Sequence, residues 1–256
     1  MNYFSPKDAA ERYAKGRPAF HSNTIMHIQR SLGIDKKIDK ALDVACGTGL
    51  STQALQLIAN HITGIDVSDE MLKWAAPSNN ISYINASAEE LPFGDNEFDL
   101  ITVASGVHWF DIDRFLAEAH RVLKSKAWLV LYDNYFISEM EEMPAFSRWF
   151  PEVYLAKFPS PKRNDAYEWT AQHLIKKQFD FISEEQFQNP VEFTKDKLAL
   201  YFTTQSNITA AVESGQIDYA EIELWLDKEL LQFFPIDNSV RTVQYGNWIK
   251  YIQKTD

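Results

Sequence analysis

Short apolar runs alternate with helical patterns over residues 41–134, and this alternation limits the fold more than any other feature of the chain. The periodicity predicts two helices, at 51–60 and 111–124. It also predicts five strands, at 41–45, 62–66, 81–85, 100–104 and 128–133. Strands that alternate with helices form a parallel sheet with helices on both faces. Such sheets bind ligands at the carboxyl ends of their strands, so the residues after each strand are the candidates for a site.

Composition narrows the classes of partner. The 256 residues carry a formal net charge of -11, which argues against a protein that coats nucleic acid, since that binding depends on basic charge. Cys46 is the single cysteine, so no internal disulfide can form. The first residues lack the apolar stretch of a signal peptide, and the apolar run at 127–132 is too short to span a membrane. We therefore expect a cytoplasmic protein with neither a nucleic-acid nor a membrane partner.

A loop with two glycines follows the first predicted strand. Gly47 and Gly49 remove side chains where a ligand approaches the backbone, and the next helix presents free N–H groups there. Asp66 ends the second strand, where a carboxylate can accept both hydroxyls of a ribose. The pair predicts a cofactor that contains a nucleoside. Asp43 lies inside the first strand, and we expect it to accept N–H groups of the tight turn, because a buried acid needs hydrogen bonds.

Two cofactors fit a two-glycine loop. A nicotinamide dinucleotide is favoured by the pattern G-x-G-x-x-G, from which the loop departs only at Thr52. Asp43 and the segments after the third and fourth strands favour a nucleoside-containing cofactor other than a nicotinamide dinucleotide. An NAD(P)-dependent oxidoreductase therefore stays as the weaker alternative.

Four blocks in order resemble the class I S-adenosylmethionine-dependent methyltransferases, in particular the small-molecule family called type 11. They are Asp43 to Gly49, Gly64 to Ser68, Ala88 to Phe93 with Phe98 to Ile101, and Glu118 to Lys124. The resemblance implies a Rossmann-like α/β fold with a seven-stranded sheet, six strands parallel and the last antiparallel, and no metal. It implies S-adenosylmethionine as cofactor, S-adenosylhomocysteine as product, and a small-molecule acceptor. It does not give the oligomeric state.

The resemblance also assigns cofactor contacts. Gly47, Thr48 and Gly49, supported by Asp43, would carry the methionine part, and Ala104 would lie beside it. Asp66 would bind the ribose and Val67 would flank the adenine. The family commonly has an acid where this chain has Ser87, so either Ser87 or the backbone at Ala88 would contact the adenine amino group. The Pro-Gly-Gly turn usual before the fifth strand is Ser125-Lys126-Ala127 here, which should alter only that turn.

A shorter match resembles the branch that includes trans-aconitate methyltransferases. It covers Ala10 to Tyr13 with Arg17-Pro18, and Gly106 to Phe110, and it suggests an organic acid as one acceptor. Tyr13 and Arg17 would lie on an N-terminal lid, where Arg17 can clamp a carboxylate of the cofactor or of the acceptor. His108 is the candidate general base, with hydrogen bonding into the loop wall as its plainer interpretation. The candidate acceptor contacts are Trp109, Tyr135 and Trp149.

The predicted organisation is one methyltransferase domain over residues 1–256. Lid helices occupy 1–37, the cofactor core 38–134, a helical cap 135–185, and the strands and helices that complete the sheet 186–256. The function indicated is methyl transfer to a carboxylate or hydroxyl of a small molecule by in-line displacement. A cofactor-binding regulator or scaffold without catalysis is the alternative of another class, since the cofactor half is the better marked half.

Overall fold

The computed structural model describes residues 7–161, 167–236 and 238–256, and they form two compact units. Unit 1 comprises the described residues of 7–18, 135–161 and 188–246. Unit 2 comprises those of 19–134, 167–187 and 247–256. The three later strands of the sheet each contain a boundary between these units. Within the described ranges, no helix is both long enough and apolar enough to cross a membrane.

Seven strands form one sheet. They are β1 (Ile38–Val44), β2 (Ala59–Asp66), β3 (Ile81–Asn85), β4 (Phe98–Ala104), β5 (Leu123–Met140), β6 (Phe179–Thr194) and β7 (Val240–Lys254). Their order across the sheet is β3-β2-β1-β4-β5-β7-β6. Six strands are parallel and one is antiparallel, which confirms the predicted fold class.

Two helices precede the first strand, and the others lie between strands along the chain. They are α1 (Lys7–Gly16), α2 (His21–Ser31), α3 (Leu50–Ala54), α4 (Asp69–Leu72), α5 (Ile112–Val122), α6 (Pro144–Trp149), α7 (Leu155–Lys157), α8 (Ala171–Ile175), α9 (Lys195–Thr203), α10 (Ser206–Glu213) and α11 (Tyr219–Leu230). Within the described residues, side-chain caps begin four of these helices, among them α4, where Ser68 accepts the Met71 N–H, and α5, where Asp111 accepts the Arg114 N–H. Helix α5 buries its predicted apolar stripe against the sheet.

Strand register brings the candidate residues to one edge of unit 2. Val44 pairs with Ile65 on one side and with Val103 on the other, so the ends of β1, β2 and β4 are level. Alternate residues of each strand enter different cores: Leu42 packs on the face covered by α5, whereas Ala41 packs on the face covered by α2 and α3. The residues that follow these strands are therefore neighbours at the carboxyl edge, as predicted.

Three predicted boundaries are wrong. The helix predicted to end at residue 60 ends at Ala54 and tightens into a 3₁₀ turn, because Ala59 pairs with Ile38 and begins β2. No turn forms at 125–127: β5 starts at Leu123, and a bulge with φ 60° at Lys126 takes up the extra length. The helical cap predicted for 135–185 is shorter, because β5 continues to Met140 and β6 begins at Phe179.

Unit 1 has an aromatic core. The rings pack within 6.4 Å of one another, centroid to centroid, and include Phe136, Phe146, Trp149, Phe150, Tyr154, Tyr201, Phe202 and Phe233. Such edge-to-face and offset pairs contribute about 0.5–1.5 kcal/mol each beyond the area that they bury. The Tyr135 ring lies against Gly246, where a Cβ would overlap it. The many aromatics after residue 134 are thus mainly core residues of unit 1.

Gly16 sets how closely α1 packs on α9. A Cβ at this position would lie 2.6 Å from Thr204 Cγ2 and 2.8 Å from the Leu200 carbonyl oxygen, and that oxygen is fixed in the helix. We expect Gly16→Ala to lower the free energy of unfolding by about 1–3 kcal/mol through overpacking. Urea unfolding measures the effect. Gly94→Ala is the matched control, since the nearest atom to its Cβ would be 3.8 Å away. Equal stability of the two variants would contradict the close packing.

Candidate active site

The glycine loop leaves β1 in a conformation that favours glycine. Gly47 and Gly49 have φ of 54° and 80°, and Ala45 before them has φ of 58°. A Cβ on Gly49 would clash with the Tyr83 hydroxyl, and one on Gly47 would lie 3.0 Å from Met71 Cε. The loop is closed by its own backbone, because the Gly49 N–H donates to the Cys46 carbonyl. It therefore presents bare backbone at the carboxyl edge of the sheet.

Asp43, inside β1, is hydrogen-bonded to the helix that follows this loop and to β4. Its carboxylate is fully buried and accepts hydrogen bonds from the hydroxyls of Ser51 (2.6 Å), Thr52 (2.7 Å) and Thr102 (2.9 Å). The expectation that it accepts N–H groups of the turn is wrong, because the hydrogen bonds of the carboxylate come from these three hydroxyls. Burial outweighs them and raises the pKa of Asp43 to about 6. Thr52 thus has a defined role at the position where dinucleotide-binding loops have glycine.

Asp66 connects the glycine loop to the end of β2. Its Oδ2 accepts the Gly47 N–H at 2.9 Å, and its Oδ1 accepts the Ser68 N–H at 2.8 Å. The Val67 N–H also acts on this carboxylate, and a lone pair that these N–H groups leave open can accept a hydroxyl from a ligand. Burial raises its pKa against the opposing effect of these bonds. Val67, the next residue, is 57% exposed, which suits an apolar partner for a flat ring.

Ser87, the predicted contact of the adenine, is hydrogen-bonded to a residue of its own loop. Ser87 donates its hydroxyl to the Glu89 carboxylate and accepts the Glu89 N–H at 3.2 Å. Glu89 also accepts the Asp111 N–H at 2.9 Å, which ties this loop to the start of α5. Ala88 beside it is buried. Glu89 therefore places an acidic side chain beside Ser87, and the sequence pattern did not identify it as a site residue.

Polar residues that were not predicted as site residues lie directly after β4 and within β5. Ser105, with φ of 55°, donates its hydroxyl to Asp133, and its N–H donates to the Tyr132 carbonyl at 2.9 Å. The Tyr132 hydroxyl lies 3.1 Å from His21 Nδ1. Ala104 pairs with Tyr132, which places these groups next to the residue predicted to flank the methionine part. Ser105 could have been identified by its position directly after β4, whereas Tyr132 and Asp133 lie inside β5 and could not.

His108 and Trp109 lie in a short helical turn after β4. Their rings are 4.6 Å apart between centroids, and Trp109 is 44% exposed.

Cys46 in the glycine loop is buried, and burial raises the pKa of its thiol well above the ordinary value. A thiol in that state is a packing residue rather than a nucleophile.

Four predicted contacts belong to unit 1. Arg17 Cζ lies 4.6 Å from the centroid of the Tyr13 ring, so these two residues contact each other. Tyr135 is 40% exposed. Trp149 is 5% exposed and donates its Nε1 hydrogen to Glu229 at 3.0 Å, which are the contacts of a packing residue. The roles of Tyr13, Arg17 and Tyr135 in binding stay predictions.

The residues of the loop fit S-adenosylmethionine. Thr48 Oγ1 is buried and has no hydrogen-bond partner among the residues that the structure describes, as expected of a group that a ligand satisfies. The bare backbone at Gly47, the acceptor oxygens of Asp66 and the exposed Val67 match, in that order, an amino acid, a ribose and a base. No described group of three or more His, Cys, Asp or Glu residues could hold a metal ion.

Comparison with known proteins gives the same assignment. A family model described as a methyltransferase domain matches residues 42–131. Demethylmenaquinone methyltransferase of Staphylococcus aureus is 31% identical over 180 residues, which are 64% of this chain and 70% of that protein.

Two solved structures share the fold. A protein of Anaeromyxobacter dehalogenans assigned as a type II methyltransferase gives a TM-score of 0.70 at 21% identity, with 88% of this chain and 94% of that chain covered. The YcgJ protein of Bacillus subtilis gives 0.53 at 19% identity, with 92% and 99% covered. The chain belongs to the class I S-adenosylmethionine-dependent methyltransferases.

Proposed function

We propose that this enzyme transfers a methyl group to a carboxylate or hydroxyl of a small-molecule acceptor. The observation that carries the proposal is the carboxyl edge of unit 2, where the glycine loop and Asp66 stand beside the polar groups of Ser105 and Asp133. The cofactor, when bound, supplies an electrophilic methyl group on a sulfonium. The protein then has to align the acceptor atom with that group, and positioning supplies most of the rate enhancement.

The described side chains suit that task. Ala104 ends β4 with a small side chain, and the Ser105–Asp133 pair offers hydrogen-bonding groups beside it. Trp109 offers an exposed apolar ring in the same unit. A carboxylate acceptor needs no base, whereas a hydroxyl acceptor loses a proton, which His108 can take. The family membership favours an enzyme over a silent cofactor-binding scaffold.

The test is a transfer assay with methyl-labelled cofactor and a panel of small carboxylic acids and phenols. Mass spectrometry should detect a methylated product and an equal amount of S-adenosylhomocysteine. Asp66→Ala serves as the inactive control. Tight cofactor binding without product from any acceptor in the panel would argue against a small carboxylic acid or phenol as the substrate.

His108→Gln separates the two kinds of acceptor. If His108 is the base, turnover of a hydroxyl acceptor should fall about 100-fold, within the range usual for loss of a general base. Turnover of a carboxylate acceptor and the Kd of S-adenosylhomocysteine should stay unchanged. Steady-state kinetics and calorimetry measure these quantities. Undiminished turnover of a hydroxyl would remove His108 from the reaction and leave it as a residue of the loop wall.

A further inference from the structure

Ser105 has an unusual backbone conformation where β4 ends. Its φ of 55° lies in the left-handed region, which few residues with a side chain adopt without support from their surroundings. Two hydrogen bonds supply that support: the Ser105 N–H donates to the Tyr132 carbonyl at 2.9 Å, and its hydroxyl donates to the Asp133 carboxylate. The turn after β4 is therefore held against β5, with Asp133 as one of its two partners.

The same turn lies against the glycine loop. A Cβ on Gly106 would be 2.7 Å from Ala45 Cβ, which is closer than two carbon atoms approach, so glycine is required here. Ala45 directly precedes the glycine loop, and Ser105 directly precedes Gly106. Because the Asp133 carboxylate is hydrogen-bonded to Ser105, it lies at the same edge of unit 2 as the glycine loop, on the side of β5.

The negative charge of Asp133 is not balanced by a neighbour. Among the described residues, the Ser105 hydroxyl is its hydrogen-bond donor, and no Lys, Arg or His forms an ion pair with it. The carboxylate is partly exposed, and it has about three further positions at which it can accept a hydrogen from a ligand. Asp66 and Glu89, two other acids of the site, add to the negative charge. This part of the site therefore combines open hydrogen-bond acceptors with an uncompensated charge.

A carboxylate in this state selects its ligands by charge. It accepts a hydrogen bond from a hydroxyl and attracts a cation, whereas it repels the carboxylate of an organic acid at contact distance. The sulfonium of S-adenosylmethionine carries a positive charge, which S-adenosylhomocysteine lacks. The charge that disfavours an acidic acceptor should therefore also favour the cofactor over its product.

We propose that Asp133, held in place by Ser105, is the specificity-determining residue for the acceptor and selects a hydroxyl over a carboxylate. This inference rests on the proposed function and deepens it, because it chooses between the two acceptor groups named there. Asp133 accepts a hydrogen bond from the hydroxyl of the acceptor and leaves a lone pair of the hydroxyl oxygen free to face the methyl group. Ser105 orients the carboxylate through its own hydroxyl.

The first experiment needs no acceptor. Calorimetry gives the Kd of S-adenosylmethionine and of S-adenosylhomocysteine for the wild type and for Asp133→Asn, which keeps an acceptor oxygen for Ser105. We expect the ratio of the two Kd values to shift about three- to tenfold against S-adenosylmethionine, because one charge near the sulfonium is removed. Asp39→Asn is the matched control: it removes an exposed carboxylate of the same unit at the opposite end of β1 and should leave the ratio unchanged.

The second experiment compares acceptors that differ in one group, such as benzyl alcohol and benzoate. We expect the wild type to methylate the hydroxyl compound with a kcat/KM at least about tenfold above that of the acid, and Asp133→Asn to narrow this difference. Ser105→Gly suits the left-handed φ and keeps the charge of Asp133 but loses the orienting hydroxyl. It should therefore raise the KM of the hydroxyl acceptor and keep the preference for S-adenosylmethionine.

The outcomes separate this inference from the proposed function. An unchanged ratio of Kd values in Asp133→Asn would overturn the inference alone, because the carboxylate would then not act on the reacting group. Methylation of the acid in preference to the alcohol by the wild type would also overturn it and would leave the enzyme a methyltransferase. Failure of the wild type to bind either nucleoside would overturn the proposed function itself. Should Asp133→Asn fail to fold, Asp133→Ala removes the same charge and should give the same shift.

Discussion

Replacing Asp66 by alanine should weaken the binding of S-adenosylhomocysteine by roughly 30- to 1000-fold. The variant would lose the charge-assisted hydrogen bonding of the carboxylate to the ribose, worth about 2–4 kcal/mol. Part of the loss would come from the loop itself, because Asp66 also accepts the Gly47 N–H. Isothermal calorimetry with the nucleoside measures the change, and NAD should not bind to either protein.

Two further variants make this result specific. Asp69→Ala removes an exposed carboxylate three residues further along, whose partner is the Asn85 amide, and should leave the Kd unchanged. Asp66→Asn keeps the size of the side chain and one acceptor oxygen, so we expect an intermediate loss. If Asp66→Ala binds the nucleoside as tightly as Asp69→Ala, then the assignment of the ribose site to Asp66 is wrong.

The part of the site near β1 and β2 was predictable because its signals are local. Glycines that adopt positive φ and an acid at the end of the next strand can be read from a few adjacent residues, and the structure places Gly47 and Asp66 together as expected. The strand ends are level because parallel strands with helical connections share one edge. The Thr102 partner of Asp43 could not be predicted in this way, since it is 59 residues away along the chain.

The later strands were predicted less well for a related reason. β5 extends to Met140 and β6 begins at Phe179, yet neither boundary has a glycine or proline that would mark it. Their lengths depend on pairing with β7, which lies near the end of the chain. Trp149 shows the same limit for side chains: its sequence context could not distinguish a pocket wall from the aromatic core in which it is buried.

Replacing Asp43 by alanine should have the largest effect on stability. The variant would leave the hydroxyls of Ser51, Thr52 and Thr102 without their shared acceptor in a fully buried place. We expect the free energy of unfolding to fall by about 3–5 kcal/mol, because each orphaned hydroxyl costs about 1–3 kcal/mol and the neighbours can only partly pair with one another. Urea unfolding at neutral pH measures the loss. Asp43→Asn, which keeps an acceptor oxygen in the same place, should lose clearly less.

The pH dependence of the free energy of unfolding, compared between the wild type and Asp43→Asn, tests whether burial raises the pKa of Asp43. The pKa of Asp43 is about 6 in the folded protein against 3.8 in the unfolded chain, so the folded state holds its proton to higher pH. Stability from this group is therefore complete below about pH 4, falls as the pH rises through 6, and differs by about 3 kcal/mol between those limits. Asp43→Asn has no such proton, so its stability relative to the wild type should improve between pH 4 and 7.5. Asp66, whose pKa burial also raises, titrates in both proteins and cancels in this comparison. Parallel pH profiles of wild type and Asp43→Asn would show that the buried carboxylate is stabilised by its three hydroxyls as fully as by water. The expected gain of Asp43→Asn relative to the wild type with rising pH would show that the loop keeps a charge at a cost in stability, because that charge fixes the helix and the strands around the cofactor site.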